Sequence, residues 1–199
     1  MTATIRMATE ADAAAVASIY APFCEKTAIS FEYKAPTTVE MAERIRTVTR
    51  LPWLVLDDNG ALAGYAYATQ HRERAAYGWS VDTTVYVSPN YQRRGVGRAL
   101  YTALFELLRM QGYYKVYAGI TLPNRASIGL HQSLGFEPVG IYRGVGYKLG
   151  AWHDVAWYQL SLQPEQPQPA APLPVTSILG TSGWVKAIDL GLADYRGST

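Results

Sequence analysis

The residues with the most evident chemical potential lie in the stretch Gln92 to Leu100, QRRGVGRAL, where two adjacent arginines run into a Gly-Val-Gly turn ahead of a helical pattern. Backbone amides at a helix start, left uncovered by glycine, form an anion site, and Arg93, Arg94 and Arg98 would add positive charge around it. Phosphate is the matching ligand chemistry. A plain strand-to-helix turn, with Gly95 and Gly97 serving backbone geometry and the arginines solvated, is the alternative. Two nucleotide motifs are excluded: GxxxxGK[ST] is absent, and a dinucleotide fingerprint needs a third glycine where Leu100 stands. GVGYKLG, Gly144 to Gly150, fails similarly and follows no clear strand. His71, His131 and His153 are scattered, without cysteine or HExxH company, so no metal site is expected, and His71 and His153 read as structural.

Several elements must position these groups. TATIRMAT reads as a first strand, with Thr9 and Asp12 opening a helix that Pro22 is expected to close. TTVEMAERIRTVTR carries Val39, Met41, Ile45 and Val48 in an imperfect helical stripe, with Thr37 or Thr38 as cap. WLVLDDNGALAGYAYATQ has the composition of a hairpin turning at Asp57 to Gly60. SVDTTVYV alternates Val81, Thr83, Val85 and Val87 on one face with Asp82, Thr84 and Tyr86 on the other, as a strand half-facing a site would. From Gly97 to Gln111 the pattern is helical, with Gly112 as C-cap. KVYAGITL is a strand, RASIGLHQSL a short helix stopped by Gly135, and DVAWYQLSL a final strand. The order implies a mixed α+β (α/β) core.

Composition sets outer bounds. Nearly half of the 199 residues are hydrophobic, enough for a sizeable core, and the formal charge of +2 does not advertise a nucleic-acid surface. A single cysteine, Cys24, excludes an intramolecular disulfide. The N-terminal residues lack a signal-peptide core and no run is long and apolar enough to span a bilayer, so a cytoplasmic protein without membrane or nucleic-acid partners is expected. QPEQPQPAAPLP, from Gln163, cannot build a core and reads as an extended linker. The domain is therefore expected over residues 1–162 and the linker over 163–174. The tail over 175–199 is read as packed or partner-binding, with disorder as the alternative.

Together, TTVYV, SPNYQRRGVGRAL and PNRASIGLHQSLGF resemble the acetyl-CoA-binding core of the GCN5-related N-acetyltransferases (GNAT superfamily). PWLVLDDNGALAGYAYA, AYGWSVDTTVYVSPNYQRRGVGRALYTAL and LGAWHDVAWYQLSL are similar to its phosphinothricin and methionine sulfoximine or sulfone acetyltransferase branch. The resemblance runs from about Ile5 to Leu162. It implies a mostly antiparallel central sheet flanked by helices, with the fourth and fifth strands splayed into a cleft for acetyl-CoA.

The resemblance also implies roles. The backbone of Val85, Tyr86 and Val87 would pair with the pantetheine arm and polarise the thioester carbonyl. The turn of Arg93, Arg94, Gly95, Val96, Gly97 and Arg98 would hold the pyrophosphate, with Asn124 and Ser127 also contacting the cofactor. Asp82 stands where the family has a glutamate general base, one methylene shorter. His131, seven residues after Asn124, stands where many members carry a tyrosine that protonates the thiolate; as an imidazole it could act as acid, base or both. Tyr142 and Tyr147 are nearby candidate donors. Phe31, Arg72 and Arg74 would contact the acceptor's acidic groups. The implied activity is N-acetylation of a small amino-acid analogue, without metal, by a homodimer whose early loop helps complete the cleft. Another amine acceptor, or a CoA-binding protein without turnover, are the alternatives.

Overall fold

The computed structural model describes residues 3–197. Its sheet has seven strands, β1 (Thr4–Met7), β2 (Trp53–Asp58), β3 (Ala61–Gln70), β4 (Ser80–Val87), β5 (Lys115–Thr121), β6 (Glu137–Lys148) and β7 (Ala151–Ser161), in the order β1-β2-β3-β4-β5-β7-β6. The β2–β3 hairpin turns through Asn59 and Gly60, both at positive φ, the conformation a two-residue turn demands. Every neighbouring pair is antiparallel except β4 with β5. That parallel pairing covers only Ser80↔Lys115, Val81↔Val116 and Asp82↔Tyr117. The sheet is the mixed, mostly antiparallel one expected, split between its fourth and fifth strands.

Helices cover both faces. On one lie α1 (Ala13–Lys26) and α2 (Thr38–Thr47), which with Trp53, Val55 and Tyr65 bury a core of their own. A reciprocal cap between Thr37 and Glu40 starts α2, as the sequence suggests. Pro22 does not close α1. The helix continues to Lys26 because Tyr20 and Cys24, one turn apart across the proline, are both buried, and that burial outweighs one lost hydrogen bond. Val39, placed in the α2 stripe, is 78 % exposed; Met41 and Ile45 carry the apolar face.

The opposite face holds α3 (Val96–Gln111) and α4 (Arg125–Ser133). Leu100, Leu104, Leu107 and Leu108 of α3 are fully buried against the sheet, and Gly112 ends the helix in the left-handed conformation. Two features differ from the sequence reading. The run containing GVGYKLG belongs to β6, a twelve-residue strand whose proline and glycines disguise it. An edge strand tolerates them, and the register slips between Tyr142 and Gly146 where glycine allows it. The last strand, β7, starts at Ala151, three residues before the expected one.

The Pro-rich segment is tied to the body through Trp79 Nε1 to the Ala170 carbonyl (2.7 Å) and paired bonds between Gln111 and Leu173. Beyond it, α5 (Ser182–Ala193) lies along α3, and Val175, Ile178, Trp184 and Ala187 join the core beneath α3. Close approach is possible because Gly191 has no side chain: a Cβ there would stand 2.5 Å from the Ala99 carbonyl oxygen. The chain then reaches the turn before α3. Asp194 accepts from Thr102 at 2.7 Å, the Arg196 amide donates to the Arg94 carbonyl at 2.9 Å, and the Asp194 carbonyl lies over Gly95.

Gly95 is thus required twice over, by a φ of +81° and because a Cβ would sit 2.1 Å from the Asp194 carbonyl oxygen. Left-handed geometry alone costs a substituted residue about 1–2 kcal/mol. Gly95→Ala should lower the melting temperature by about 4 °C or more in a calorimetric scan; an unchanged midpoint would mean the tail does not seat on the turn.

Candidate functional site

Past Asp82 and Tyr117 the fourth and fifth strands part. Residues 83–87 keep only β3 as a ladder partner and residues 118–121 keep only β7. Alternate backbone N–H and C=O groups on the two inner edges therefore face a gap, and such groups require hydrogen-bond partners. The cleft, about 110 Å³, is lined by Thr84, Val85, Gly119, Asn124, Ser127 and His131 among others. Val85 and Tyr86 line it, and the β4 edge without a β5 partner runs on to Val87. The Tyr86 ring turns away to pack on Tyr20 and Phe23, with centroids 4.8 and 4.9 Å apart.

The QRRGVGR turn follows β4 directly. Arg93 and Gly95 both adopt positive φ, and no side chain caps α3, whose first internal bond runs from the Ala99 amide to the Gly95 carbonyl (2.8 Å). The amides of Val96, Gly97 and Arg98 precede that bond and form the positive end of the helix. A non-glycine residue in the left-handed region, as at Arg93, is the strain expected where a turn is shaped for a ligand. The three arginines differ. Arg93 is exposed, Arg94 lies 5.2 Å over the Tyr91 ring, and Arg98 braces α4 through the Ser133 carbonyl and hydroxyl at 3.2 and 2.8 Å. Asn124 is a helix cap, its Oδ1 accepting from the Ser127 amide at 3.1 Å.

His131 is buried at the α3 side of the cleft, packed on Phe136 and Tyr101. Its Nδ1 lies 2.8 Å from the Ser127 carbonyl, which can only accept, so Nδ1–H donates and Nε2 keeps its lone pair, 3.4 Å from the Tyr101 hydroxyl. Burial lowers its pKa and keeps the ring neutral, while burial pushes the Tyr101 hydroxyl up and keeps it protonated.

Asp82 belongs to the other face. Val81 and Thr83 point toward α3, whereas Asp82, Thr84 and Tyr86 point toward α1, so the structure does not bring Asp82 and His131 side by side. Asp82 meets His71 instead, with Oδ1 2.6 Å from Nδ1. Burial raises the Asp82 pKa and the His71 hydrogen bond opposes that rise. The His71 ring stacks on Tyr117 at 4.3 Å, and beyond it a cavity of about 310 Å³ is lined by His71, Arg72, Tyr117, Ile141, Tyr142 and Trp157. Arg72 stands over the Trp157 ring at 5.9 Å; Arg74 is exposed and does not line this cavity. Reading His71 as merely structural missed its contact. The available signal was register: Thr69 pairs with Asp82, and His71 lies two residues on, on the same face. His153 bonds the Lys148 carbonyl at the β6–β7 turn, and among the described residues no group could hold a metal ion.

The early loop, residues 27–37, closes the α1 side. Phe31 packs on Gly146 of β6, and Ile29 reaches the cleft. The loop is fixed by Lys148, whose buried Nζ donates to the carbonyls of Cys24, Ser30 and Glu32 at 2.5, 2.6 and 2.8 Å. Tyr20 with Ser30 at 2.6 Å and the two-pronged Arg44–Glu32 pair hold the same segment. Nothing local in the sequence marks Lys148 for this task. Each buried carbonyl left without a donor costs about 1–3 kcal/mol. Lys148→Met should therefore release the loop, seen as new protease cleavage within residues 27–37 and a lower melting temperature; unchanged protection would show the staple to be dispensable.

Residues 5–157 match the acetyltransferase (GNAT) domain family. The chain is 42% identical to a phosphinothricin N-acetyltransferase of Streptomyces viridochromogenes, over 85% of this chain and 93% of that protein. It is 37% identical to an L-methionine sulfoximine/L-methionine sulfone acetyltransferase of Salmonella typhimurium, over 80% and 94%. The crystal structure of a GNAT superfamily phosphinothricin acetyltransferase from Sinorhizobium meliloti in complex with AcCoA superposes with a TM-score of 0.81 at 34% identity, covering 87% of this chain and 96% of that one.

Proposed function

The chain belongs to the acetyltransferase (GNAT) family, and from that membership we propose that it moves acetyl from acetyl-CoA to the amino group of a small amino-acid analogue of the phosphinothricin, methionine sulfoximine or methionine sulfone kind, detoxifying it. The observation that carries the reading is the split between β4 and β5 with an uncapped helix start beside it. An extended, amide-bearing arm ending in phosphates fits those two features together, as an added strand would. Bound there, acetyl-CoA supplies an activated acetyl group as its thioester.

In this reading Val85 to Val87 hold the arm by their backbone, and one of their amides meets the carbonyl oxygen as charge develops on it. The turn from Arg93 to Arg98 holds the pyrophosphate, and Asn124 and Ser127 form the adjoining wall. Asp82 supplies the negative charge under which the acceptor ammonium loses its proton. The Tyr101 hydroxyl, whose hydrogen rests on the His131 lone pair, is the proton-bearing group on this wall; turned from Nε2 toward the departing thiolate it would supply the proton, with His131 beside it as the second candidate. Arg72 offers a cation to an acidic acceptor group from within the cavity of His71 and Tyr142; Phe31 packs on Gly146 of β6, outside the lining of that cavity. Arg74 carries less of this role, being exposed and outside that cavity.

Thiol release from acetyl-CoA with a panel of these analogues, ordinary amino acids and polyamines tests the assignment. Turnover should be greatest on an analogue with a second acidic or sulfoximine-like head, and Asp82→Asn should lower kcat about 100-fold or more. CoA binding without turnover on any amine would overturn it.

The assembly we propose is a homodimer. Edge strand β6 presents Val139, Ile141, Tyr142, Val145 and Tyr147 at 43 to 55 % exposure, with Trp152 of β7 at 69 %, a continuous apolar border beside the cavity. Sedimentation at micromolar concentration should give twice the chain mass, and Ile141→Asp should shift it toward monomer; a monomeric wild type would refute the assembly.

A further inference from the structure

We infer that the proton acceptor for the amine is Nε2 of His71, with Asp82 acting through the imidazole. The inference rests on the acetyltransferase reading above and deepens it. A carboxylate on the short aspartate side chain is held to β4, and its Oδ1 is already engaged with His71 Nδ1 at 2.6 Å. An ionised carboxylate has no proton to give, so Nδ1–H donates and the lone pair resides on Nε2. Among the described residues Nε2 has no hydrogen-bond partner, although the imidazole is mostly buried, its side chain 12 % exposed. The ring is held in one plane by the Tyr117 stack and by the edges of Tyr77 and Trp157. His71 also lines the cavity with Arg72 and Tyr142. Tyr117 is the last residue of β5 paired with β4, so the imidazole sits where the cleft begins.

A carboxylate that orients an imidazole and stabilises its charged form is an established way to build a base from two weak ones. In the step, one N–H bond of the acceptor ammonium breaks, its electron pair stays on nitrogen, and the proton joins His71 Nε2. The imidazolium then returns that proton to solvent, while the second proton, lost as the amide forms, balances the one gained by the thiolate. The groups facing the pair are Arg72 from the same loop, Tyr77 from the following turn and Tyr117 from β5. Of these only Arg72 is charged at neutral pH.

The test combines kinetics with a readout that needs no turnover. With acetyl-CoA and the best amine of the panel, His71→Gln should lower kcat about 100-fold with KM for acetyl-CoA unchanged and remove the acid limb of the pH–rate profile. In His71→Ala, added imidazole should restore a concentration-dependent part of the rate. Nitrogen-15 spectra of histidine-labelled protein, assigned by the same variants, should show His71 protonated at Nδ1 and bare at Nε2 above pH 7. A His71→Gln enzyme within five-fold of wild type and with its acid limb intact would overturn the inference and return the base role to Asp82 alone. The opposite tautomer would overturn it whatever the activity. Absence of turnover on every amine would instead overturn the function proposed above, and the role of His71 with it.

Discussion

The structure depends on a pairing that stops. β4 and β5 share three residue pairs and then diverge, and a sheet interior with unanswered backbone groups is unfavourable unless something completes it. Each arm is therefore secured from its far side, β4 by seven registered residues of β3 and β5 by seven of β7. The leucines of α3 share one core with Val81 of β4 and Val116, Ala118 and Ile120 of β5. Support on the outside keeps an unsatisfied edge on the inside, with the backbone groups that an extended amide chain could pair with.

Strand alternation then divides the chemistry. His131 and Tyr101 lie on the α3 side of the sheet, His71 and Asp82 on the α1 side, and Asp82 and Tyr117 are the last pair before the split. One imidazole is kept neutral by burial, with its tautomer set by a backbone carbonyl; the other is oriented by a carboxylate. Two histidines of one chain thus have different partners at their Nδ1 atoms, a carboxylate in one case and a backbone carbonyl in the other. The early loop, with no regular structure of its own, is held to the α1 side by a lysine that spends its three protons on backbone carbonyls.

Local features were readable wherever one residue type carries one conformation. The Asn59-Gly60 hairpin, the Thr37 cap, the Gly112 stop and the uncapped glycine turn all follow from backbone preferences that act over a few residues. Where tertiary contact overrides local preference, the sequence misleads. Pro22 breaks no helix because Tyr20 and Cys24 are buried together, and glycine-rich β6 is a strand because β7 lies beside it. Of the candidate site, the cleft-side residues were legible through motif spacing. The Asp82 partner was not, because His71 reaches it through hairpin register across a loop of unknown length. Lys148 was hidden further still, its three carbonyl partners lying more than a hundred residues away. Arg74, carried over from the family resemblance, stands in solvent; composition does not tell which way a loop residue faces.

The segment that follows the matched family region separates two meanings of a domain. The family match ends at residue 157, yet α5 lies on α3, Trp184 belongs to the same core as Leu104, and the Asp194 carbonyl fills the space behind Gly95. The unit of shared ancestry is shorter than the unit that folds. A chain trimmed to the inherited boundary would lay bare Ile5 and the outer side of α3, turning a covered seam into a sticky one. For this protein one face of the C-terminal helix is part of the core.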